Sequence, residues 1–317
     1  MKRVLVTGAA GFLGSSLSLE LLRKGYVVIG VDNFNSILYS KDIKESNWLA
    51  LGKYPNFIPI RDDFWNLESN MLENLDVCFN FAALPGLMTG EEATEKYFQT
   101  NVLGTERFLK KLKNQRNLRF VHASTSSVYG ERAVGAEAEV CLPVSSYGIS
   151  KLASEHLIRA FCAKKDFSLC ILRFFSVYGP RQRPDMAIHK LIICALEGKS
   201  FNVYGSLESV RTNTFVTDAV NALISFGDSP RLTGTYNIAG SEKLSLNDWV
   251  ISVENLVGSR IELKFDPPRD GDQRITHGDT SLARQAIGFS PNFSSLSGLK
   301  LQVDYIMKNR DIYSTSS

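Results

Sequence analysis

Apolar runs alternate with amphipathic stretches from the start of the chain to about position 175. Residues 3–7 (RVLVT) form a short β-branched run, and the following GAAGFLGSSLSLELLRKG sets Phe and Leu at helical spacing until Gly25 ends it. A second run, YVVIGVDN at 26–33, ends near an acid, so the chain opens with what reads as a complete strand–helix–strand unit. Further runs lie at 57–60 (FIPI), 76–83 (DVCFNFAA), 118–124 (LRFVHAS) and 168–175 (SLCILRFF), with amphipathic stretches at about 93–115 and 148–165 between them. Strands that alternate with helices in this way predict an α/β chain on a doubly wound parallel sheet covered on both faces.

After position 176 the rhythm becomes irregular. YGPRQRPD reads as a loop, MAIHKLIICALEGK as a helix, FNVYG as a strand, RTNTF as an edge segment, and TYNIAG at 235–240 as a strand returning to the first sheet. The expected division is therefore 1–175, with a returning segment near 210–240, and a smaller, interleaved lobe over 176–317. The polar end, RDIYSTSS, is expected to fray.

Composition narrows the class. The 317 residues are 44% hydrophobic and 22% charged, enough for a large buried core and unlike a disordered chain. A net charge of +3 gives no reason to expect nucleic acid or an anionic membrane as a partner. No apolar stretch of about 18 residues occurs and glycines interrupt the start too early for a signal peptide, so the chain is expected to be cytoplasmic. Five cysteines without a CxxC pair read as small buried residues, and four scattered histidines give no metal-ligand spacing, so no metal is expected.

The first chemical signal lies at the first strand–helix junction. Gly8, Gly11 and Gly14 in TGAAGFLG, with Phe12 and Leu13 between the last two, let the backbone turn tightly against a pyrophosphate that meets the positive end of the helix. Asp32, beyond Gly14 at the tip of the second run and followed by Asn33, can accept from both ribose hydroxyls of an adenosine. No Arg follows in DNFNS to receive a 2′-phosphate, so the cofactor expected is NAD rather than NADP. The second signal is Tyr147 and Lys151, four apart on a helix and so on one face. An ammonium beside the phenol is expected to lower its pKa and let Tyr147 pass a proton.

The GxxGxxG spacing and the downstream YxxxK together resemble the extended branch of the short-chain dehydrogenase/reductase superfamily. The resemblance runs from Met1 to about Pro291, and implies a Rossmann-type sheet with a smaller substrate lobe. By that resemblance Asp63 and Phe64 match the adenine contact, Ala82 and Ala83 lie along the cofactor, and Tyr147 and Lys151 also touch it. Where the family usually has His before the alanines this chain has Asn80, to which no role is attached. Thr125 matches the Ser or Thr that bonds the reacting hydroxyl, with Ser126 as its neighbouring alternative.

The reaction type follows from what comes next in the same strand. Sugar 4,6-dehydratases of the extended branch have Asp and Glu after that Ser or Thr, and decarboxylases typically keep the Glu; this chain has Ser126 and Ser127. Removing a hydride and returning it needs neither carboxylate, so the pattern is that of a nucleotide-sugar 4-epimerase.

LRFFSVYGPRQRPDMA at 172–187 is similar above all to UDP-glucuronate 4-epimerases. It implies a UDP-sugar substrate, with Ser176 near the diphosphate, Arg183 (or its competitor Arg181) clamping the sugar carboxylate, Tyr204 beside the uracil, and Arg211 and Arg269 on the diphosphate. Thr212 stands where the family more often has Asp, and Gly86, Leu87 and Met88 stand where uronate epimerases tend to have Gly-Val-Arg. A UDP-glucose or UDP-N-acetylglucosamine epimerase, a dehydratase, decarboxylase or reductase on the same fold, and a non-catalytic NAD-binding sensor stay open as alternatives. Family habit implies a homodimer through the helices at about 93–115 and 148–165.

Overall fold

Seven parallel strands carry the molecule in the computed structural model, which describes residues 1–86, 92–273 and 275–313. Across the sheet they run Gly234–Ile238, Ser168–Phe174, Arg119–Thr125, Val77–Asn80, Arg3–Thr7, Val27–Asp32 and Phe57–Arg61. The order steps outward in both directions from the first strand, so the strand ends part between Arg3–Thr7 and Val77–Asn80, where an open α/β sheet places its ligand crevice.

Alternation along the central strands sorts the two faces. Val4 and Val6 point into one core with Leu17, Leu21, Val220 and Leu223, whereas Leu5 and Ile29 point into the other with Phe108, Leu109, Phe120 and Ile158. The first face is covered by helices Phe12–Arg23 and Val216–Gly227, the second by Thr105–Lys111 and Ser146–Cys162. Each of these fully buried apolar side chains contributes about 1.5–3 kcal/mol relative to exposure, which is why both strand faces had to be apolar.

The stretch expected as one helix over 93–115 is helical throughout but changes pitch. It passes from Ala93–Tyr97 through a π-helical segment, Phe98–Gly104, to Thr105–Lys111 and a 3-10 turn at Leu112–Asn114. Gly104 explains the close approach here: a Cβ on it would lie 2.5 Å from the Trp65 ring.

The second lobe is built on a four-stranded sheet ordered Lys243–Ser245, Val210–Thr212, Ile275–Gly278, Arg132–Gly135. Arg132–Gly135 comes from the segment expected to form the first domain, and Gly234–Ile238 returns to pair with Ser168–Phe174 at the edge of the large sheet. Chain crossings in both directions tie the lobe to the sheet.

Two expectations are corrected. Cys78, Cys162 and Cys170 are buried, but Cys141 and Cys194 are partly exposed. The end of the chain does not fray from Arg310: Arg310–Tyr313 forms a helical turn and buries Tyr313 against His189, ring centres 4.9 Å apart, while 314–317 lie outside the described residues. Among the described residues no helix is long and apolar enough to cross a membrane.

Candidate active site

A cleft of about 510 Å³ opens at the parted strand ends. Its walls bring together Gly8, Gly11, Phe12, Leu13, Gly14, Asp32, Asn33, Phe64, Ala82, Ala83, Thr125, Tyr147, Lys151, Ser176, Arg183 and Arg211.

The glycine turn is shaped for close approach. Gly8 adopts φ +70°, and a Cβ on Gly14 would lie 2.1 Å from the Gly8 carbonyl oxygen, so the first turn of the helix can fold back only on a bare backbone. Helix Phe12–Arg23 has no side-chain cap at Gly11, which leaves its positive end facing the cleft. Asp32 is 6% exposed; its carboxylate accepts from the Ala10 and Phe34 amides at 3.1 and 2.8 Å and pairs with Lys44 at 3.2 Å. A bare N-terminal turn and an acid at the second strand tip fit the pyrophosphate and adenosine ribose of NAD.

Lys44 escaped the sequence reading because only the packing of helix Lys41–Leu51 brings it to Asp32. Asp62, Phe64 and Trp65 line the cleft, and beside them Asp63 accepts from the side-chain amide of Asn33, which also lines it, at 2.5 Å.

On the opposite wall, Thr125 ends its strand, and its hydroxyl accepts from the Ser127 amide and donates to the Ser127 hydroxyl, both at 3.1 Å. Ser126 is drawn elsewhere, donating to Gln273 Oε1 at 3.1 Å, while Gln273 donates back to the Ser126 and Gly130 carbonyls. Gln273, a residue without motif, thus fastens the turn after Thr125 to the lobe.

Ser145 caps the helix carrying Tyr147 and Lys151 by accepting from the Gly148 amide. Asn101, in the π-helical segment, accepts from the Leu84 amide at 2.7 Å and donates to the Leu84 carbonyl and the Ser150 hydroxyl. It therefore locks the loop after the fourth strand to the Tyr147 helix.

The electrostatics differ from expectation. Burial pushes the Tyr147 phenol up rather than down, opposed by the positive charge of Arg183 and a hydrogen bond with Thr125. Lys151 is itself pulled down to about 8 by burial, with Glu155 acting in the other direction.

Arg183 is paired within the chain. Its Nε and Nη2 donate to Asp185 Oδ1 and Oδ2, both at 2.9 Å. Burial works against this guanidinium, but Asp185 outweighs it and holds the group above its ordinary value. Arg181, the competitor, adopts φ +70° and reaches the Ser15 carbonyl instead.

Arg211 lines the cleft and donates to the Gln273 carbonyl at 2.7 Å. Tyr204 and Arg269 come together, the guanidinium 3.4 Å from the ring centre, but neither lines the cleft and Arg269 is exposed. Thr212 is fully buried and donates to the Thr276 carbonyl, a role within the small sheet. Gly86 lines the cleft, whereas Leu87 and Met88 lie outside the described residues.

Comparison with known proteins agrees with this geometry. The profile of the NAD dependent epimerase/dehydratase family matches residues 4–239. An uncharacterized UDP-glucose epimerase of Bacillus subtilis, YtcB, is 36% identical over 310 residues, covering 96% of this chain and 98% of its own. The crystal structure of UDP-glucuronic acid 4-epimerase from Bacillus cereus, in complex with UDP-glucuronic acid and NAD, superposes with a TM-score of 0.93 at 34% identity, covering 97% of this chain and 99% of that one. A UDP-glucose 4-epimerase structure from Thermotoga maritima, with UDP-glucose, matches with a TM-score of 0.84 at 27% identity, over 97% and 99% of the two chains.

Proposed function

The chain belongs to the NAD dependent epimerase/dehydratase family, and on that basis we propose that it is an NAD-dependent 4-epimerase of a UDP-linked sugar, with UDP-glucuronate as the substrate. The observation that carries this reading is that one cleft is lined by Thr125, Tyr147 and Lys151 together with the glycine turn and Arg183.

NAD is assigned to Gly8, Gly11, Phe12, Leu13, Gly14, Asp32, Asn33, Asp63, Phe64, Ala82, Ala83, Tyr147 and Lys151, and when bound it supplies the reversible hydride exchange at carbon 4 of the sugar. The chain's own work is proton transfer and orientation. Thr125 aligns the 4-hydroxyl, and Tyr147 takes its proton and later gives it back. Burial opposes both the phenolate that this requires and the Lys151 ammonium, Arg183 adds favourable charge, and the pair of Tyr147 and Lys151 is assigned to share a proton. Ser176, Arg211 and Arg269 are assigned to the diphosphate about which the oxidised sugar turns, and Tyr204, which packs on Arg269, to the uracil. Ser126 and Ser127 offer no carboxylate for eliminating water, which favours epimerisation over dehydration.

A uronate makes one further demand. Its 4-keto form is a β-keto acid that loses carbon dioxide when the carboxylate stands perpendicular to the carbonyl plane, and a guanidinium that fixes the carboxylate's orientation prevents this. Arg183 is the residue assigned to that task. The second reading, a UDP-glucose 4-epimerase, is favoured by the Arg183–Asp185 pair, because a guanidinium already satisfied within the chain suits a neutral sugar. Approach to one equilibrium mixture of 4-epimers from either epimer, followed by NMR, tests the proposal for each substrate.

We further read the chain as a cytoplasmic homodimer, with residues 1–175 and the returning segment near 210–240 forming the NAD half and the remainder of 176–317 holding the nucleotide sugar. Exposed Leu103 and Ile149, on the two helices assigned to the contact, support that pairing. A monomeric mass in sedimentation equilibrium contradicts it.

A further inference from the structure

Behind Lys151 runs a buried polar chain that no motif announces. The Thr7 hydroxyl oxygen accepts the Phe81 and Ala82 amides at 3.0 and 2.9 Å, so both its lone pairs are engaged and its own hydrogen donates to Asn80 Oδ1 at 2.9 Å. With Oδ1 so committed, the Asn80 amide nitrogen faces His122 Nδ1 at 3.2 Å and donates to it. The His122 proton therefore sits on Nε2, which lies 3.3 Å from Lys151 Nζ. An ammonium has three donors and no acceptor, whereas a neutral amine has the lone pair that an incoming N–H requires. Thr7, Asn80, His122 and Lys151 are all buried, which raises the cost of any mismatch.

We propose that His122 is a positioning residue for the acid–base pair, fixed by Thr7 and Asn80 as its Nε2–H tautomer and donating to the Lys151 amine so that the neutral form of Lys151 is favoured. The proposal rests on the reading of Lys151 as the partner of Tyr147. Its consequence is a shift in the pair's titration. With two protons on the pair Tyr147 has no room for the sugar's proton, and with one it does, so favouring the neutral amine carries activity to lower pH.

The surrounding groups are few. Glu155, one turn on and paired with Arg173 from the neighbouring strand, acts on Lys151 in the opposite sense. Arg159 on the same helix adds positive charge towards His122, and Arg183 and Tyr97 face Tyr147 from the other side. Burial and the proximity of Lys151 push His122 well below its ordinary value, with the Asn80 backbone acting the other way, so the imidazole stays neutral.

The direct test is nitrogen NMR of the purified protein labelled with ¹⁵N-histidine, with His122 assigned by its loss in His122→Phe. The expected spectrum shows an unprotonated Nδ1 and a protonated Nε2 from pH 6 to 9. In Asn80→Asp, whose carboxylate only accepts, the proton is expected to move to Nδ1. A proton on Nδ1 in the unmodified protein, or no change of tautomer in Asn80→Asp, overturns the proposal whether or not the chain is an epimerase.

Turnover gives the second readout. In His122→Phe the acidic limb of kcat/KM is expected to move up by about half to one pH unit, the worth of one buried hydrogen bond. His122→Gln, which keeps an N–H, is expected to restore the limb. A lower plateau with the limb in place is the mark of a merely structural role and overturns the assignment.

Discussion

Arg183 and Asp185 face each other edge to edge, with two N–H···O bonds of 2.9 Å joining guanidinium to carboxylate on the cleft wall. A sugar carboxylate has to take one of those edges from Asp185 or use a remaining donor. Arg183→Ala is expected to raise KM for UDP-glucuronate roughly tenfold to a hundredfold, the worth of charge-assisted hydrogen bonds, and to increase leakage to a pentose product. Asp185→Asn removes the competing charge and is expected to lower the KM ratio of UDP-glucuronate to UDP-glucose. Unchanged ratios in both variants remove Arg183 from the sugar site.

Tyr147→Phe deletes the proton-transfer group while keeping the ring that packs 5.7 Å from Tyr97. Turnover is expected to fall by about 10² to 10⁴, the range for loss of a positioned acid–base group, with NAD affinity changed little. Single-turnover product analysis and NAD titration separate the two effects.

Gly14→Ala places a methyl group 2.1 Å from the Gly8 carbonyl oxygen, which backbone movement alone can relieve. A loss of about 1–3 kcal/mol is expected, seen as a drop of several degrees in Tm, together with weaker NAD binding. An unaltered Tm contradicts the close approach.

Glu155 is buried under Arg173, accepting from its Nε and Nη2 at 3.0 and 2.8 Å and from the Ser124 hydroxyl at 2.5 Å. Burial works to raise its carboxyl, but Arg173 and Ser124 outweigh it and hold the group below the ordinary 4.5. A depressed folded value means stability that is complete above about 4.5 and is lost as pH falls through the folded value. Glu155→Gln leaves Arg173 buried without its counter-charge and is expected to cost about 3–5 kcal/mol at neutral pH. The difference from the unmodified protein is expected to shrink as pH drops below 4.5, and denaturant titrations across that range measure it.

The large sheet was legible because its strands are apolar on both faces. Runs such as RVLVT and SLCILRFF coincide with strands Arg3–Thr7 and Ser168–Phe174, and TYNIAG returned to the sheet as read. The small sheet was not legible, since Arg132–Gly135 and Ile275–Gly278 are short strands that lie far apart along the chain and meet only through tertiary packing.

Within the cleft the glycines, Asp32, Thr125, Tyr147 and Lys151 could be found because local backbone geometry or helix periodicity restricts them. Lys44, Gln273 and His122 reach the site or its support through tertiary packing, and no local spacing marks them, whereas Asp185 meets Arg183 from two residues along the same loop. The charge that Arg183 adds beside Tyr147 was not legible either, because helical spacing marks Lys151 but not a loop residue further along the chain.

A mass-resolved assay of the purified protein with UDP-glucuronate, UDP-glucose and UDP-N-acetylglucosamine in turn, without added NAD, tests the epimerase assignment without an intermediate step. The expected product has unchanged mass and an inverted carbon 4, and forms best from UDP-glucuronate. Loss of water or of carbon dioxide as the main outcome, or no conversion of any of the three with NAD supplied, contradicts the assignment.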